Sequence, residues 1–204
     1  MILLPRLYAI VDSSCRGSTR DLVAFAEDLA SVGCTLLQYR NKSGNALVTL
    51  QQAQQFKKHV GHTVRLIMND RTDLCLAADF DGVHVGQEDL SPESVRKIIG
   101  PDRWLGLSTH NPEQLRDADL TSADYLAIGP VFATSSKDKP DPVVGLEGVR
   151  RARKLTRKPL VAIGGITRGN AASVMDAGAD CIAVISDLLS EPRKSAEEFL
   201  RILR

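Results

Sequence analysis

In the segment QYRNK, Gln38, Arg40 and Lys42 occupy alternate positions, so an extended backbone sends one amide and two cations to the same side. Two later segments end in acids: RLIMND closes on Asn69 and Asp70, and GVHVGQED closes on Asp89. Two carboxylates with an amide beside them suit Mg²⁺, a hard cation that takes one or two carboxylates and leaves its other positions to water and phosphate oxygens. Arg40 and Lys42 opposite such an ion would complete a clamp for a diphosphate. Each residue alone has an ordinary explanation, as a turn former, a cap or a solvated surface charge. The chemistry depends on their arrival on one face.

A second candidate anion site lies further on. AIGGIT carries Gly164 and Gly165 and is followed by Asn170, and AVIS ends in Ile185 and Ser186. Paired glycines after a strand let backbone N–H groups approach an anion closely, and a helix N-terminus favours negative charge. A plain tight turn accounts for Gly-Gly equally well.

His84 sits inside an apolar run, where a hydrogen-bonded core or pocket-wall role is expected ahead of acid/base catalysis. His110 follows Ser108 in LSTHN with no carboxylate in evident register, which makes a hydrolase triad weak. His59 and His62 fall near a helix end and read as surface residues, and Trp104 reads as core. With aromatic residues at 4%, stacking platforms for single-stranded nucleic acid are not expected.

These residues must be positioned by recurring elements. Short apolar runs begin at Leu7 (LYAIV), Thr35 (TLLQYR), Arg65 (RLIMND), Gly82 (GVHVG), Trp104 (WLGLS), Tyr125 (YLAIG), Pro159 (PLVAIG) and Cys181 (CIAVIS). Between them lie helical patterns, the first with Leu22, Phe25, Ala26, Leu29 and Ala30 on one face. Ser91-Pro92 and Asn111-Pro112 read as N-caps followed by proline at the first helical position. Ser195 and Glu198 read as a capping box for the last helix. Apolar runs buried on both faces and separated by helices imply parallel strands. The pattern predicts an α/β fold, a single (β/α)8 TIM barrel over residues 1–204, in which all these strand ends share one face. A doubly wound open sheet is the rival, against which no G-x-G-x-x-G follows the first run.

The chain of 204 residues, 43% hydrophobic, can bury a large core, and its formal net charge of +1 gives no global field for nucleic acid or an anionic membrane. The cysteines Cys15, Cys34, Cys75 and Cys181 form neither a C-x-x-C pair nor a zinc spacing, which fits a reducing cytoplasm. The apolar start MILL is broken by Pro5 and Arg6, and no run reaches membrane-spanning length, so a soluble protein is expected.

QYRNK, ND, GVHVGQED, GLSTH, GPVFATSSK with GLEG, AIGGI and VIS, in this order, resemble the thiamin phosphate synthase family over nearly the whole chain. The resemblance implies a transferase that joins a hydroxymethylpyrimidine diphosphate to a (carboxy)thiazole phosphate, releasing pyrophosphate with Mg²⁺. It implies that Gln38 and Asn69 hold the pyrimidine diphosphate with Ser108 near the ring, that Arg40, Lys42 and Lys137 neutralise the leaving pyrophosphate, and that Asp70 and Asp89 bind the metal. Thr134, Ser136 and the corner of Gly165, Ile185 and Ser186 would take the thiazole phosphate. Tyr39, Asn41, His84, Ser135 and Gly164 complete the expected substrate-binding set. Ser136 stands where the family usually has threonine, and the chain lacks the longer N-terminal segment of some members.

Two alternatives stay open: a thiazole tautomerase of the same barrel family, which would need histidine acid/base chemistry and no diphosphate clamp, and a non-catalytic binder of the same phosphorylated ligands. Self-association is also left open. Finally, the polar stretch at about 133–145 reads as an active-site flap, expected to order around pyrophosphate and bring Lys137 to the leaving group.

Overall fold

The computed structural model describes residues 2–15, 17–134 and 141–204. Its strands are β1 (Leu7–Asp12), β2 (Leu36–Arg40), β3 (Arg65–Asn69), β4 (Gly82–Val85), β5 (Trp104–Thr109), β6 (Tyr125–Ile128), β7 (Leu160–Ile163) and β8 (Cys181–Val184). The helices are α1 (Thr19–Ser31), α2 (Ala46–Val60), α3 (Thr72–Ala77), α4 (Pro92–Ile99), α5 (Pro112–Asp119), α6 (Gly145–Leu155), α7 (Ala171–Asp176) and α8 (Pro192–Ile202). The strands pair in parallel in chain order and β8 closes back on β1, with Leu7 opposite Ile182, so the fold is a (β/α)8 barrel. Every apolar run read from the sequence is one of these strands.

Strand alternation builds two apolar layers. Tyr8 and Ile10 point into the barrel with Leu36, Ile67, Tyr125, Ala127, Val161 and Ala183. Leu7, Ala9 and Val11 point outward against the helices, where Leu22, Phe25 and Leu29 of α1 and Phe56 of α2 meet them. Each large side chain buried this way contributes roughly 1.5–3 kcal/mol, so the helical stripes are what close the shell over the strands.

The helix starts follow local chemistry in two predicted places. Ser91 accepts from the Ser94 N–H at 3.3 Å and Asn111 from the Gln114 N–H at 2.9 Å, each with proline next in the chain. The predicted capping box at Ser195 is corrected: α8 already begins at Pro192, the Ser195 N–H donates to the Glu191 carbonyl within the helix, and Glu198 instead binds Arg168. Proline at the first helical position, pre-set in φ, starts the helix without a side-chain cap.

At the N-terminal end of the barrel one device occurs three times. Asp81, Asp124 and Asp180 each precede an even-numbered strand and accept the N–H of Leu66, Leu105 and Leu160 respectively, all at 2.8 Å. Arg96 of α4 and Arg153 of α6 bind the second and third of these acids at 2.6 and 2.7 Å, tying helix to strand end. This pole holds the barrel together and leaves the opposite rim for chemistry. Trp104, expected in the core, is half-buried at this lower end with the Arg65 guanidinium 4.1 Å from its ring centroid. No helix among the described residues is long and apolar enough to cross a membrane.

Candidate active site

A cavity of about 640 Å³ opens at the C-terminal ends of the strands. Its first wall comes from β1 to β4. Arg40, at the end of β2, is ion-paired with Asp12, its register partner on β1. The Asp12 carboxylate is 4% exposed and also accepts from the Ser14 N–H at 2.9 Å and the Ser14 hydroxyl at 2.7 Å. Lys42 reaches past the strand to pair with Asp70. Asp70 has a left-handed backbone (φ 58°), which Asp tolerates better than most residues, and its N–H donates to the His84 carbonyl at 2.8 Å.

Asp89 completes this wall. Its carboxylate accepts the Gly86 N–H at 2.7 Å, while burial, reinforced by the neighbouring Asp70, pushes its carboxyl above the ordinary carboxylate range. A bound cation would relieve that repulsion. Among the described residues no cluster of three or more His, Cys, Asp and Glu side chains is arranged for a metal. Asp70 and Asp89 by themselves would suit only an ion that draws most of its ligands from water or substrate.

The opposite wall comes from β6 to β8. Gly164 and Gly165 have φ of 101° and 62°, and a Cβ on them would lie 2.5 Å from Pro130 Cβ and from the Ala133 carbonyl oxygen respectively. The paired glycines thus admit the segment after β6, whose Val131 and Phe132 N–H groups donate to the carbonyls of Ile163 and Gly164 at 2.9 and 3.0 Å. Ile185, Ser186 and Thr134 line this side. Ser135, Ser136 and Lys137, and with them the centre of the expected flap, lie outside the described residues.

The cavity thus sets acids and cations on one wall and a glycine corner on the other. The profile of the family described as thiamine monophosphate synthase matches residues 7–188. The chain belongs to the thiamine monophosphate synthase family. It is 60% identical over 203 residues to the thiamine-phosphate synthase of Koribacter versatilis, covering 98% of this chain and 96% of that one. It is 40% identical to that of Shouchella clausii over 187 residues, or 91% and 88% of the two chains. Among solved structures, thiamine phosphate pyrophosphorylase from Pyrococcus furiosus superposes with a TM-score of 0.86 at 32% identity, over 97% of this chain and 95% of that one. The activity that goes with this membership is thiamine-phosphate synthesis, a transferase reaction of thiamine biosynthesis.

Within this synthase barrel, Gln38, Arg40, Lys42, Asn69, Asp70, His84, Asp89 and Ser108 share the cavity with Gly164, Gly165, Ile185 and Ser186. Tyr39 and Asn41, expected to touch substrate, lie elsewhere. Alternation turns Tyr39 outward, where it stacks on Phe56 with centroids 4.9 Å apart and bonds Gln52, and Asn41 Nδ2 donates to Tyr39 Oη and Gln52 Oε1, both at 3.0 Å. They brace β2 against α2.

His84 is the hydrogen-bonded pocket-wall residue that the sequence reading expects, and His59 is at the surface; His110 alone departs from that reading. Ser108 bonds His84 Nε2 at 2.8 Å, and His84 Nδ1 faces the Tyr125 hydroxyl at 3.2 Å, so the serine's histidine has a phenol where a triad has a carboxylate. Burial lowers the His84 pKa to about 4. His110 Nδ1 donates to the Gly129 carbonyl at 2.7 Å, with Asp141 Oδ2 3.6 Å away, a carboxylate the linear order hides. His59 is exposed and pairs with Glu27 at 2.9 Å. Sequence reasoning passed over Asp12, although YAIVD carries the same strand-end signal as ND, and over Tyr8 and Tyr125, which look like core residues until the barrel closes.

Proposed function

We propose that the cavity binds a pyrimidine diphosphate on the Arg40, Lys42, Asp70 and Asp89 wall and a thiazole phosphate in the Gly164, Gly165 and Ser186 corner, and joins them with loss of pyrophosphate. The observation that carries this reading is the presence in one cavity of a paired cation and carboxylate wall facing a glycine corner. Asp70 and Asp89 would hold Mg²⁺, which when bound supplies positive charge to the departing pyrophosphate. The raised carboxyl of Asp89 supports a cation there.

The residues act mainly by position and charge. Arg40, held by Asp12, and Lys42, exchanging Asp70 for a phosphate, lie on the diphosphate wall; Lys137 would join them. Gln38, Asn69 and Ser108 orient the pyrimidine ring. The carbon–oxygen bond to the diphosphate breaks with both electrons leaving on oxygen, and the amino-pyrimidine delocalises the methylene cation. The thiazole nitrogen then forms the new carbon–nitrogen bond. No protein nucleophile is needed, which agrees with a Ser108–His84 pair lacking a carboxylate. The tautomerase alternative asks a histidine to take and return a proton, and His84 is poorly suited, since both ring nitrogens are engaged and burial holds its pKa near 4.

The test is to combine the purified protein with both phosphorylated substrates and Mg²⁺ and to measure pyrophosphate and thiamin phosphate. Stoichiometric appearance of both is expected. Tight binding of both substrates without product would leave only the non-catalytic binder.

A further inference from the structure

Beneath the cavity a chain of polar side chains crosses the inside of the barrel, linking five strands. Gln38 Nε2 donates to Tyr8 Oη at 2.8 Å, Tyr8 Oη lies 3.2 Å from Tyr125 Oη, Tyr125 Oη lies 3.2 Å from His84 Nδ1, and His84 Nε2 lies 2.8 Å from Ser108 Oγ. Tyr8 and Tyr125 are 1% and 0% exposed, in a layer otherwise filled by Ile10, Ile67 and Val161. Apolar side chains would fill that space without the penalty of burying hydroxyls, so a fully connected chain here calls for a use.

The backbone makes room for it. Gly106 is the register partner of both His84 on β4 and Tyr125 on β6. A Cβ at this position would sit 2.2 Å from Tyr125 Cζ and 2.3 Å from His84 Nδ1. The phenol reaches the imidazole because β5 presents no side chain between them.

With the Gln38 amide nitrogen turned to Tyr8, a continuous chain runs in one direction: Tyr8 accepts from Gln38 and gives its single proton to Tyr125. Tyr125 then gives its own proton to His84 Nδ1, and burial keeps both phenols protonated by raising their pKa values. An Nδ1 that accepts leaves the imidazole proton on Nε2, where it is donated to Ser108 Oγ. The serine's own proton is then free to face the cavity. The Gln38 amide sets this direction: turned over, it would reverse every bond and make Nε2 an acceptor from Ser108.

We infer that Tyr8, Tyr125 and His84 are positioning residues whose hydrogen-bonded chain holds His84 as the Nε2–H tautomer and thereby commits the Ser108 hydroxyl proton to the substrate. The inference rests on the synthase reading for its substrate. The donor so presented matches a ring nitrogen of an amino-heterocycle. The floor therefore reads the hydrogen-bonding edge of the ring, and its polarity is set at Gln38, four side chains along the chain from Ser108.

Nitrogen-15 NMR of the histidine-labelled full chain at neutral pH, with His84 assigned by its absence in His84→Gln, reads the tautomer without substrate. A protonated Nε2 and an unprotonated Nδ1 are expected; the opposite tautomer overturns the inference. In Tyr125→Phe the imidazole loses its donor, so the tautomers should mix and kcat should fall about 10-fold, with KM for the thiazole phosphate unchanged. Tyr8→Phe, which deletes a hydroxyl one step further back, gives the same direction of change should Tyr125→Phe fold poorly. On a Ser108→Ala background the Tyr125→Phe change should have no further effect on kcat. An unchanged His84 spectrum and unchanged kcat in both tyrosine variants, or full additivity with Ser108→Ala, would refute the chain's role. A wild-type protein without synthase activity would instead refute the synthase reading, and its nitrogen spectrum would still decide the tautomer.

Discussion

Acidification should destabilise this barrel through a single buried imidazole. His84 is 8% exposed, and burial lowers its pKa from 6.5 to about 4. Between those values the unfolded chain takes up a proton that the folded chain refuses. His84 therefore contributes its full stability above about pH 6.5, and that contribution is lost progressively as the pH falls toward about 4. A shift of this size corresponds to roughly 3 kcal/mol across the whole window, most of it lost by about pH 4.5. That is a large share of the 5–15 kcal/mol typical of a folded domain (about that range). The assay is urea unfolding followed by circular dichroism at about pH 7.5 and about pH 4.5, for the wild type and for His84→Gln. Glutamine keeps a donor and an acceptor but does not titrate, and groups common to both proteins cancel in the difference. The wild type should lose about 2–3 kcal/mol more than the variant over this interval. Equal losses would refute the claim that the ring is held neutral by burial.

Asp12→Ala should leave Arg40 without its carboxylate partner; KM for the pyrimidine diphosphate should rise about 10-fold in steady-state assays, with Asp12→Asn intermediate. Asp89→Ala should reduce Mg²⁺-dependent turnover by about 10²–10³-fold while thermal unfolding stays within a few degrees of the wild type. Because burial raises the Asp89 carboxyl pKa, protons should compete with the metal as the pH falls, so a Mg²⁺ titration of activity should need more metal at about pH 5.5 than at about pH 7.5. Gly164→Ala should cost about 2–3 kcal/mol and lower the melting temperature by roughly 5–10 °C, because the new Cβ lies 2.5 Å from Pro130 at a φ of 101°.

Much of the fold was legible before any coordinates. Apolar runs at strand length, helical stripes such as Leu22, Phe25 and Leu29, and the Ser91-Pro92 and Asn111-Pro112 starts are local signals, and local sterics and burial are what they report. The Ser195–Glu198 box misled because it has the right spacing three residues inside a helix that Pro192 had already begun. Alternation was enough to send Gln38, Arg40 and Lys42 into one cavity, and the same rule applied strictly would have turned Tyr39 and Asn41 away from it.

What the sequence determined by itself is the set of elements and the chemistry at their ends, because both depend on neighbours within a few positions. What only the tertiary structure decided is the partnerships. Arg40 meets Asp12 across 28 residues of chain, and Tyr8 meets Tyr125 across 117. Neither separation carries a periodic signal. The first contact depends on the register between β1 and β2, and the second on a closed barrel that brings β1 and β6 into one interior; Gly106 then leaves room for Tyr125 to reach His84. Hydrogen bonds act over a few ångströms, so the direction of a proton along that floor is a property of the closed barrel and not of any segment within it.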